Sequence, residues 1–160
     1  MSPDYRVREA TLDDAAVLAR HRIAMFTDMG VPLDAESLDR SFREWLGRTM
    51  PPGTYRAWPV EAPDGEIAAG GGITILPWPP GPRYMGDRLG FVYNVYTEPA
   101  HRRRGLARVV MDAIHGWCRG AGITSMALNA SRDGQPLYEA MGYGVTPSPM
   151  MFLSLTGAKK

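Results

Sequence analysis

The sequence predicts an α/β (α+β) protein built on a central, mixed, mostly antiparallel, twisted sheet of six to seven strands with about four helices on its faces. Three observations carry that expectation. Short runs rich in β-branched and aromatic residues alternate with longer runs whose apolar residues recur at helical spacing. Pro63-Asp64-Gly65 is a turn signal between two strand-like runs, so those runs pair as an antiparallel hairpin. The strand–helix–strand unit from Phe91 to Leu128 needs a crossover, which makes its two strands parallel neighbours.

Taken in order, Tyr5 to Arg8 reads as a first strand. Thr11 is a helix N-cap with Asp13 and Asp14 in the first turn, where carboxylates suit the helix dipole. Leu12, Ala15, Leu18, Ala19, Arg22 and Phe26 carry this helix to about Asp28, and Gly30 ends it. Asp34 to Arg48 is a second helix with Leu38, Phe42, Trp45 and Leu46 on one face, stopped by Pro51-Pro52-Gly53. Tyr55 to Glu61 and Glu66 to Leu76 form the hairpin. Within the latter, Gly70-Gly71-Gly72 marks a bulge or a close backbone contact. Trp78 to Gly90 reads as a loop, and Phe91 to Thr97 as a strand ended by Pro99. Arg104 to Arg119 is a helix with Leu106, Val109, Val110, Ala113, Ile114 and Trp117 on its apolar side. A strand from Ile123 to Leu128 and a short helix from Gln135 to Met141 follow. Tyr143 to Leu155 is a last strand region, bent or divided by Pro147 and Pro149.

Residues 1–160 read as one domain. A net charge of +1 gives no global attraction to nucleic acid or an anionic membrane, so any anion site must be local. Cys118 is the single cysteine, which excludes an intramolecular disulfide and a multi-cysteine metal site. No H-x-x-x-H or similar ligand pair exists, and no metal is expected. Met1-Ser2-Pro3-Asp4-Tyr5-Arg6 has no apolar stretch for a signal peptide, and no apolar run is long enough to span a bilayer. The cytoplasm is the default location.

The chemistry concentrates where the Phe91 strand gives way to the Arg104 helix. Arg102, Arg103 and Arg104 precede Gly105, and the small Ala107 follows. The first turn of a helix has backbone N–H groups without helical partners, and with the dipole they make a phosphate site. Little side-chain bulk at Gly105 and Ala107 lets a pyrophosphate approach the backbone. From charge alone the run reads as a solvated basic turn, and a nucleic-acid contact is a third option. Neither a G-x-x-x-x-G-K-[ST] loop nor a G-x-G-x-x-G fingerprint is present.

The stretch Asn94-Val95-Tyr96-Thr97-Glu98-Pro99-Ala100-His101-Arg102-Arg103-Arg104-Gly105-Leu106-Ala107 resembles the acetyl-CoA motif of the GNAT acetyltransferase family, [QR]-x-x-G-x-[GA] after a strand ending V-x-P. Arg102, Gly105 and Ala107 match its fixed positions, and Thr97 stands where valine is frequent. Leu137-Tyr138-Glu139-Ala140-Met141-Gly142-Tyr143 resembles the family's L-Y-x-x-x-G-[FY] segment. The resemblance implies the GNAT fold, with an acetyl-CoA-binding core at about 90–145. It implies that the backbone from Arg103 to Arg108, through Arg104, Gly105, Leu106 and Ala107, holds the CoA pyrophosphate. The two strands should splay, with Val95, Tyr96 and Thr97 pairing with the pantetheine arm. Tyr138 is then the general acid that protonates the departing thiolate; read without its motif it is an ordinary core tyrosine. Ser131 stands where the family often has asparagine beside the cofactor. Asn94 stands near where some members carry a basic glutamate, and an amide cannot take that part. A free amine has a pKa near ~10.4 and must lose a proton before attack; a water chain, Glu98, His101 and Asp87 remain candidates for that task.

The acceptor side is expected across the first two helices, where Met25, Phe26 and Met29 form an apolar wall or plain core, and Trp78 with its flanking prolines forms a rim or a surface loop. His21 reads as structural. The function expected is direct transfer of an acetyl group from acetyl-CoA to a primary amine of a small-molecule or peptide acceptor. No nucleic-acid or membrane partner is expected, and a homodimer is allowed. A non-catalytic CoA-binding sensor and a small nucleic-acid-binding domain are the competing readings.

Overall fold

The computed structural model describes residues 4–156. Met1, Ser2 and Pro3, which open the segment read above as no signal peptide, lie outside the described residues. The chain divides between Asn129 and Ala130 into two compact units.

In the first unit, β1 (Arg6–Val7) leads through a 3-10 turn at Leu12–Asp14 into α1 (Ala15–Asp28). Thr11 starts this turn as a capping box. Its hydroxyl accepts from the Asp13 N–H at 3.3 Å, and the Asp14 carboxylate accepts from the Thr11 N–H at 2.8 Å. Helix α2 (Ala35–Thr49) opens on Asp34, whose carboxylate accepts from the Ser37 N–H at 3.2 Å. Phe42 and Leu46 of α2 pack with Leu18 and Ala19 of α1 and with Tyr55 and Ala57, closing one core.

The expected strand from Tyr55 to Glu61 is two strands, β2 (Tyr55–Ala57) and β3 (Val60–Glu61). Pro59, between them, has no N–H to give to a ladder. Both pair antiparallel with β4 (Ile67–Pro77), and β3 also pairs with β1. The loop expected over 78–90 yields its last three residues to β5 (Arg88–Thr97), where Arg88, Leu89 and Gly90 pair with Pro77, Leu76 and Ile75. β6 (Met126–Leu128) is parallel to β5, as the crossover requires. It is shorter than expected because Ile123 instead closes the preceding helix, its N–H donating to the Cys118 carbonyl at 2.9 Å. The result is one six-stranded sheet in the order β1-β3-β4-β5-β6, with β2 also on β4.

Helix α3 (Leu106–Gly120) crosses the sheet with Leu106, Val110, Met111, Ile114 and Cys118 buried. Each such aliphatic side chain contributes about 1.5–3 kcal/mol of burial. Successive residues of a strand face opposite ways, and the glycines of β4 show both faces covered. A Cβ at Gly71 would lie 2.8 Å from Cγ1 of Val110, whereas one at Gly72 would lie 2.0 Å from the Tyr55 hydroxyl. The glycine run is therefore both a close approach and, as shown below, one side of a bulge. The helix begins at Leu106 rather than Arg104 because Arg103 (φ 64°) and Gly105 (φ 74°) are left-handed.

In the second unit, α4 (Gln135–Ala140) is the fourth helix. No strand forms over the described residues 143–155, where one was expected. Pro147 and Pro149 take two donors out of the segment, and Met151, Leu153 and Leu155 are strongly exposed.

Among the described residues no helix is long and apolar enough to cross a membrane. No group of three His, Cys, Asp or Glu side chains among them is placed to hold a metal ion.

Candidate active site

β5 is interrupted in two ways at one place. Its pairing with β6 ends at Val92↔Leu128, so Tyr93 to Thr97 are hydrogen-bonded to β4 alone within the sheet. On the β4 side, Gly70↔Tyr96 and Gly72↔Tyr93 enclose one residue of β4 but two of β5. That is a β-bulge with its extra residue at Asn94-Val95. Asn94 takes φ 62°, a conformation that asparagine tolerates better than most residues. The bulge shifts the alternation by one, so that Tyr93 and Tyr96 both face α1. Tyr96 packs against His21 with ring centroids 5.2 Å apart, and Tyr93 lines a cavity beside Arg22.

Seven residues further on, the chain turns through Arg103 and Gly105 into α3. Among the described residues no side chain caps that helix, which leaves its first-turn N–H groups without a helical acceptor. Arg103, Arg104 and Arg108 are exposed, and none forms an ion pair with a described residue. Arg102 is engaged differently. Its Nε donates to the Thr97 carbonyl at 3.0 Å, its Nη2 to Asp28 Oδ2 at 2.7 Å, and its guanidinium lies 5.5 Å from the Tyr96 ring centroid. Arg102 thus ties the loop to the end of β5 and to the end of α1. An open strand edge running into an uncapped helix N-terminus ringed by free arginines suits an extended ligand with an anionic end.

Beside the bulge lies a cavity of about 380 Å³. Its helical wall is Arg22 of α1 with Leu38, Ser41, Phe42 and Trp45 of α2, and its floor is Thr74 of β4 with Tyr93 and Asn94 of β5. The Asn94 side chain joins wall to floor. Its Oδ1 accepts from Arg22 Nη1 at 2.5 Å, and its Nδ2 donates to the Tyr55 hydroxyl at 3.0 Å. Burial pushes the Tyr55 hydroxyl up to about 12, so it stays neutral. Burial also lowers the Arg22 pKa, with the Tyr55 and Tyr93 hydroxyls opposing the shift. The guanidinium carbon sits 4.9 Å from the Phe26 ring centroid and 5.2 Å from that of Phe42, within cation–π range.

The family profile described as acetyltransferase (GNAT) family matches residues 12–143, which spans both the bulged strand and the α3 junction. The chain belongs to the GNAT acetyltransferase family. A GCN5-related N-acetyltransferase from Ralstonia eutropha JMP134 is 34% identical, with a TM-score of 0.84 over 96% of this chain and 99% of that one. A predicted acetyltransferase from Clostridium acetobutylicum, solved with acetyl-CoA, superposes with a TM-score of 0.86 at 24% identity over 98% and 99% of the two chains. A ribosomal-protein-alanine N-acetyltransferase from Brucella melitensis biovar Abortus 2308 shares the fold at 21% identity, with a TM-score of 0.70 over 94% and 99%. No curated protein matches.

The second GNAT motif has a local physical explanation within its own unit. Gly142 (φ 100°) follows α4, its N–H donates to the Glu139 carbonyl at 3.0 Å, and the Tyr143 N–H donates to the Tyr138 carbonyl at 3.0 Å. That is a Schellman end, and the accompanying apolar contact is the Tyr138–Tyr143 ring pair at 6.0 Å. The motif thus encodes a helix stop that fixes the Tyr138 backbone. Burial raises the Tyr138 hydroxyl pKa, keeping it protonated. Ser131 Oγ accepts from the Gly134 N–H at 3.1 Å, shaping the turn that precedes α4.

The candidate bases of this GNAT protein are dispersed. Glu98 holds Arg20 Nη2 at 3.1 Å and lies 3.0 Å from Nε2 of buried His21, whose pKa burial lowers against the opposing pull of Glu98. His101 Nδ1 is 2.7 Å from the Tyr5 hydroxyl, and Asp87 is an exposed loop residue near Arg88. None of these lines the cavity. Met25 and Met29 do not line it either, and Phe26 reaches it only through Arg22. Trp78 bonds through Nε1 to the Tyr84 hydroxyl within its own loop. Sequence reasoning passed over Arg22, Ser41, Thr74 and Tyr93. The one available signal was Arg22, a charged residue at an apolar-face position of α1. Cys118 is buried, and burial pushes its thiol up to about 11, which suits a packing residue.

Proposed function

We propose that this GNAT acetyltransferase moves an acetyl group from acetyl-CoA to a primary amine by direct transfer. The observation that carries the reading is the continuity of the bulged, half-open β5 with the uncapped α3 N-terminus on one side and the 380 Å³ cavity on the other.

The residues present fit the co-substrate. The first-turn N–H groups of Leu106, Ala107 and Arg108 would meet the pyrophosphate, with Arg103, Arg104 and Arg108 adding charge and Arg102 holding the loop in place. The edge at Val95, Tyr96 and Thr97, whose Thr97 carbonyl is held by Arg102, offers its remaining backbone groups to the pantetheine amides. Bound acetyl-CoA supplies the activated thioester. The cavity presents the amine beside the bulge, where proximity contributes much of the rate. As the new C–N bond forms and the C–S bond breaks, the proton carried away by the thiol comes from the Tyr138 hydroxyl, and water reprotonates the tyrosinate that is left. The surplus proton of the amine passes to water, since no carboxylate or imidazole lines the cavity. Ser131 stands where the family often has asparagine beside the cofactor, and its hydroxyl shapes the turn before α4.

The test is thiol release from acetyl-CoA across a broad amine panel, together with calorimetry of acetyl-CoA alone. Amine-dependent release supports the proposal. Tight acetyl-CoA binding with no release for any amine identifies a non-catalytic CoA-binding module instead.

A further inference from the structure

Other arginines of the first unit that bind across the fold hold carboxylates. Arg8 holds Asp14 and Glu61, Arg56 holds Glu9, and Arg102 holds Asp28. Arg22 is the exception. It is half-buried, it lines the cavity, and its hydrogen-bond partner is the neutral carboxamide of Asn94. Among the described residues it forms no ion pair. A desolvated guanidinium without a counter-charge is costly, and such a group is retained where a ligand brings the charge. A second polar group is also unsatisfied there. Thr74 is 7% exposed, and its Oγ1 has no hydrogen-bond partner among the described residues, although the residue lines the same cavity. A buried hydroxyl left alone has the same need for a partner.

The remaining wall is apolar and aromatic, from Leu38, Phe42 and Trp45. The spacing is short. Arg22 binds Asn94, and Asn94 is itself the bulge residue, so an anion held by Arg22 lies within a few bonds of an amine presented at the bulge.

We propose that the cavity selects an acceptor with a carboxylate close to its primary amine, a free α-amino acid with an apolar side chain, and that Arg22 is the residue that selects it. Arg22 forks onto the carboxylate, the Thr74 hydroxyl donates a further hydrogen bond to that carboxylate, and the aromatic wall covers the side chain. This rests on the acetyl-transfer reading above and names the substrate class for that site.

The experiment compares matched trios with the full-length protein: L-leucine, L-methionine and L-phenylalanine, their amides, and their decarboxylated amines, with phosphoethanolamine as a further anionic amine. The free acids should be turned over with kcat/KM at least about tenfold above the amides, the size expected for one charge-assisted hydrogen-bond pair. Arg22→Gln should remove that preference, and Arg22→Lys should keep part of it. Amides or simple amines turned over as well as the acids would overturn the proposal, as would an Arg22→Gln variant that slows all three alike. Preference for phosphoethanolamine over every amino acid overturns the carboxylate assignment. Should Arg22→Gln fail to fold, Thr74→Val, which is nearly isosteric, carries the test by weakening the free acids selectively. Calorimetry on the CoA-loaded protein separates the two readings. N-acetyl-L-leucine binding at least about tenfold tighter than N-acetyl-L-leucinamide supports Arg22 recognition even where no turnover is seen; equal binding, or none by either, overturns it. Loss of acetyl-CoA binding itself would count against the transfer reading alone, and L-leucine against L-leucinamide would then be titrated into the protein without CoA, judged by the same criterion.

Discussion

The carboxamide oxygen of Asn94 accepts a hydrogen bond from Nη1 of Arg22 at 2.5 Å, across the seam between helix α1 and the bulge in β5. Replacing Asn94 with aspartate keeps the shape and the tolerance for φ 62°. It also gives Arg22 an internal counter-charge. The Asn94→Asp variant should fold, bind acetyl-CoA normally, and show an acceptor KM raised by about tenfold or more, because the guanidinium is already satisfied. Steady-state kinetics in both substrates check this, and an unchanged acceptor KM would show that Arg22 does not contact the acceptor.

Gly105 opens α3 at φ 74°, and a Cβ there would meet no atom within 4 Å. The cost of a side chain is therefore conformational, about 1–3 kcal/mol for a β-branched residue. Gly105→Val should weaken acetyl-CoA binding by about tenfold or more, whereas removing one exposed charge with Arg103→Ala should cost only a few-fold. Calorimetry at two salt concentrations distinguishes them, since only the Arg103 contribution is screened. The reverse ranking would argue against a backbone cradle.

Tyr138→Phe should reduce kcat by about 100-fold, the size of one general-acid contribution, with acetyl-CoA affinity nearly intact. Burial keeps the wild-type hydroxyl protonated beyond its ordinary range. Any alkaline fall in kcat due to Tyr138 should thus lie above about pH 10. Wild-type turnover by the phenylalanine variant would remove Tyr138 from the mechanism.

Gly72 and Gly47 should respond to alanine with opposite signs. A Cβ at Gly72 would press on the Tyr55 hydroxyl, which belongs to a ring only 1% exposed and unable to swing away. Gly72→Ala should cost about 1–3 kcal/mol by overpacking, a loss of roughly 5 °C in Tm. Gly47 lies within α2 with nothing within 4 Å, so Gly47→Ala should add about 0.5–1 kcal/mol. Thermal melts of the two variants decide it.

Arg8 grips Asp14 through Nη1 and Nη2 at 2.9 and 2.8 Å, and this hydrogen bonding holds the Asp14 carboxyl below the usual carboxylate range. A folded-state pKa below the unfolded one means the stabilisation is complete above the unfolded value of about 3.9 and is lost as pH falls through the folded one. Melting temperature should therefore drop below about pH 4. Arg8→Gln should be less stable at neutral pH and show a shallower acid limb. Parallel acid limbs in the two proteins would rule out this pair as their source.

Features whose causes are local were legible in the residues. Thr11 with Asp14, Asp34 before α2, Gly105 at the start of α3 and Gly142 after Tyr138 act through hydrogen bonds within a few residues, so their spacing in the chain is the structure. Both GNAT motifs are of this kind, and so is the crossover that makes β5 and β6 parallel. The strand split at Pro59 was legible in principle, since a proline removes a ladder donor wherever it stands.

Only packing across the fold assembled the cavity proposed for the acceptor. Arg22, Phe42, Thr74 and Asn94 come from α1, α2, β4 and β5, and no sequence period relates them. Their meeting depends on where β4 and β5 slip register at Gly71 and Asn94, which turns Tyr93 and Tyr96 to the same face. It depends equally on which arginines find carboxylates. Arg102 reads in the sequence as part of the anion cradle, yet packing gives it Asp28 and the Thr97 carbonyl, while Arg22, an unremarked member of a helical stripe, is left with an amide. Charge pairing is settled by distances across the fold rather than along the chain, and for that reason the lone guanidinium of Arg22 became visible only once the helices lay on the sheet.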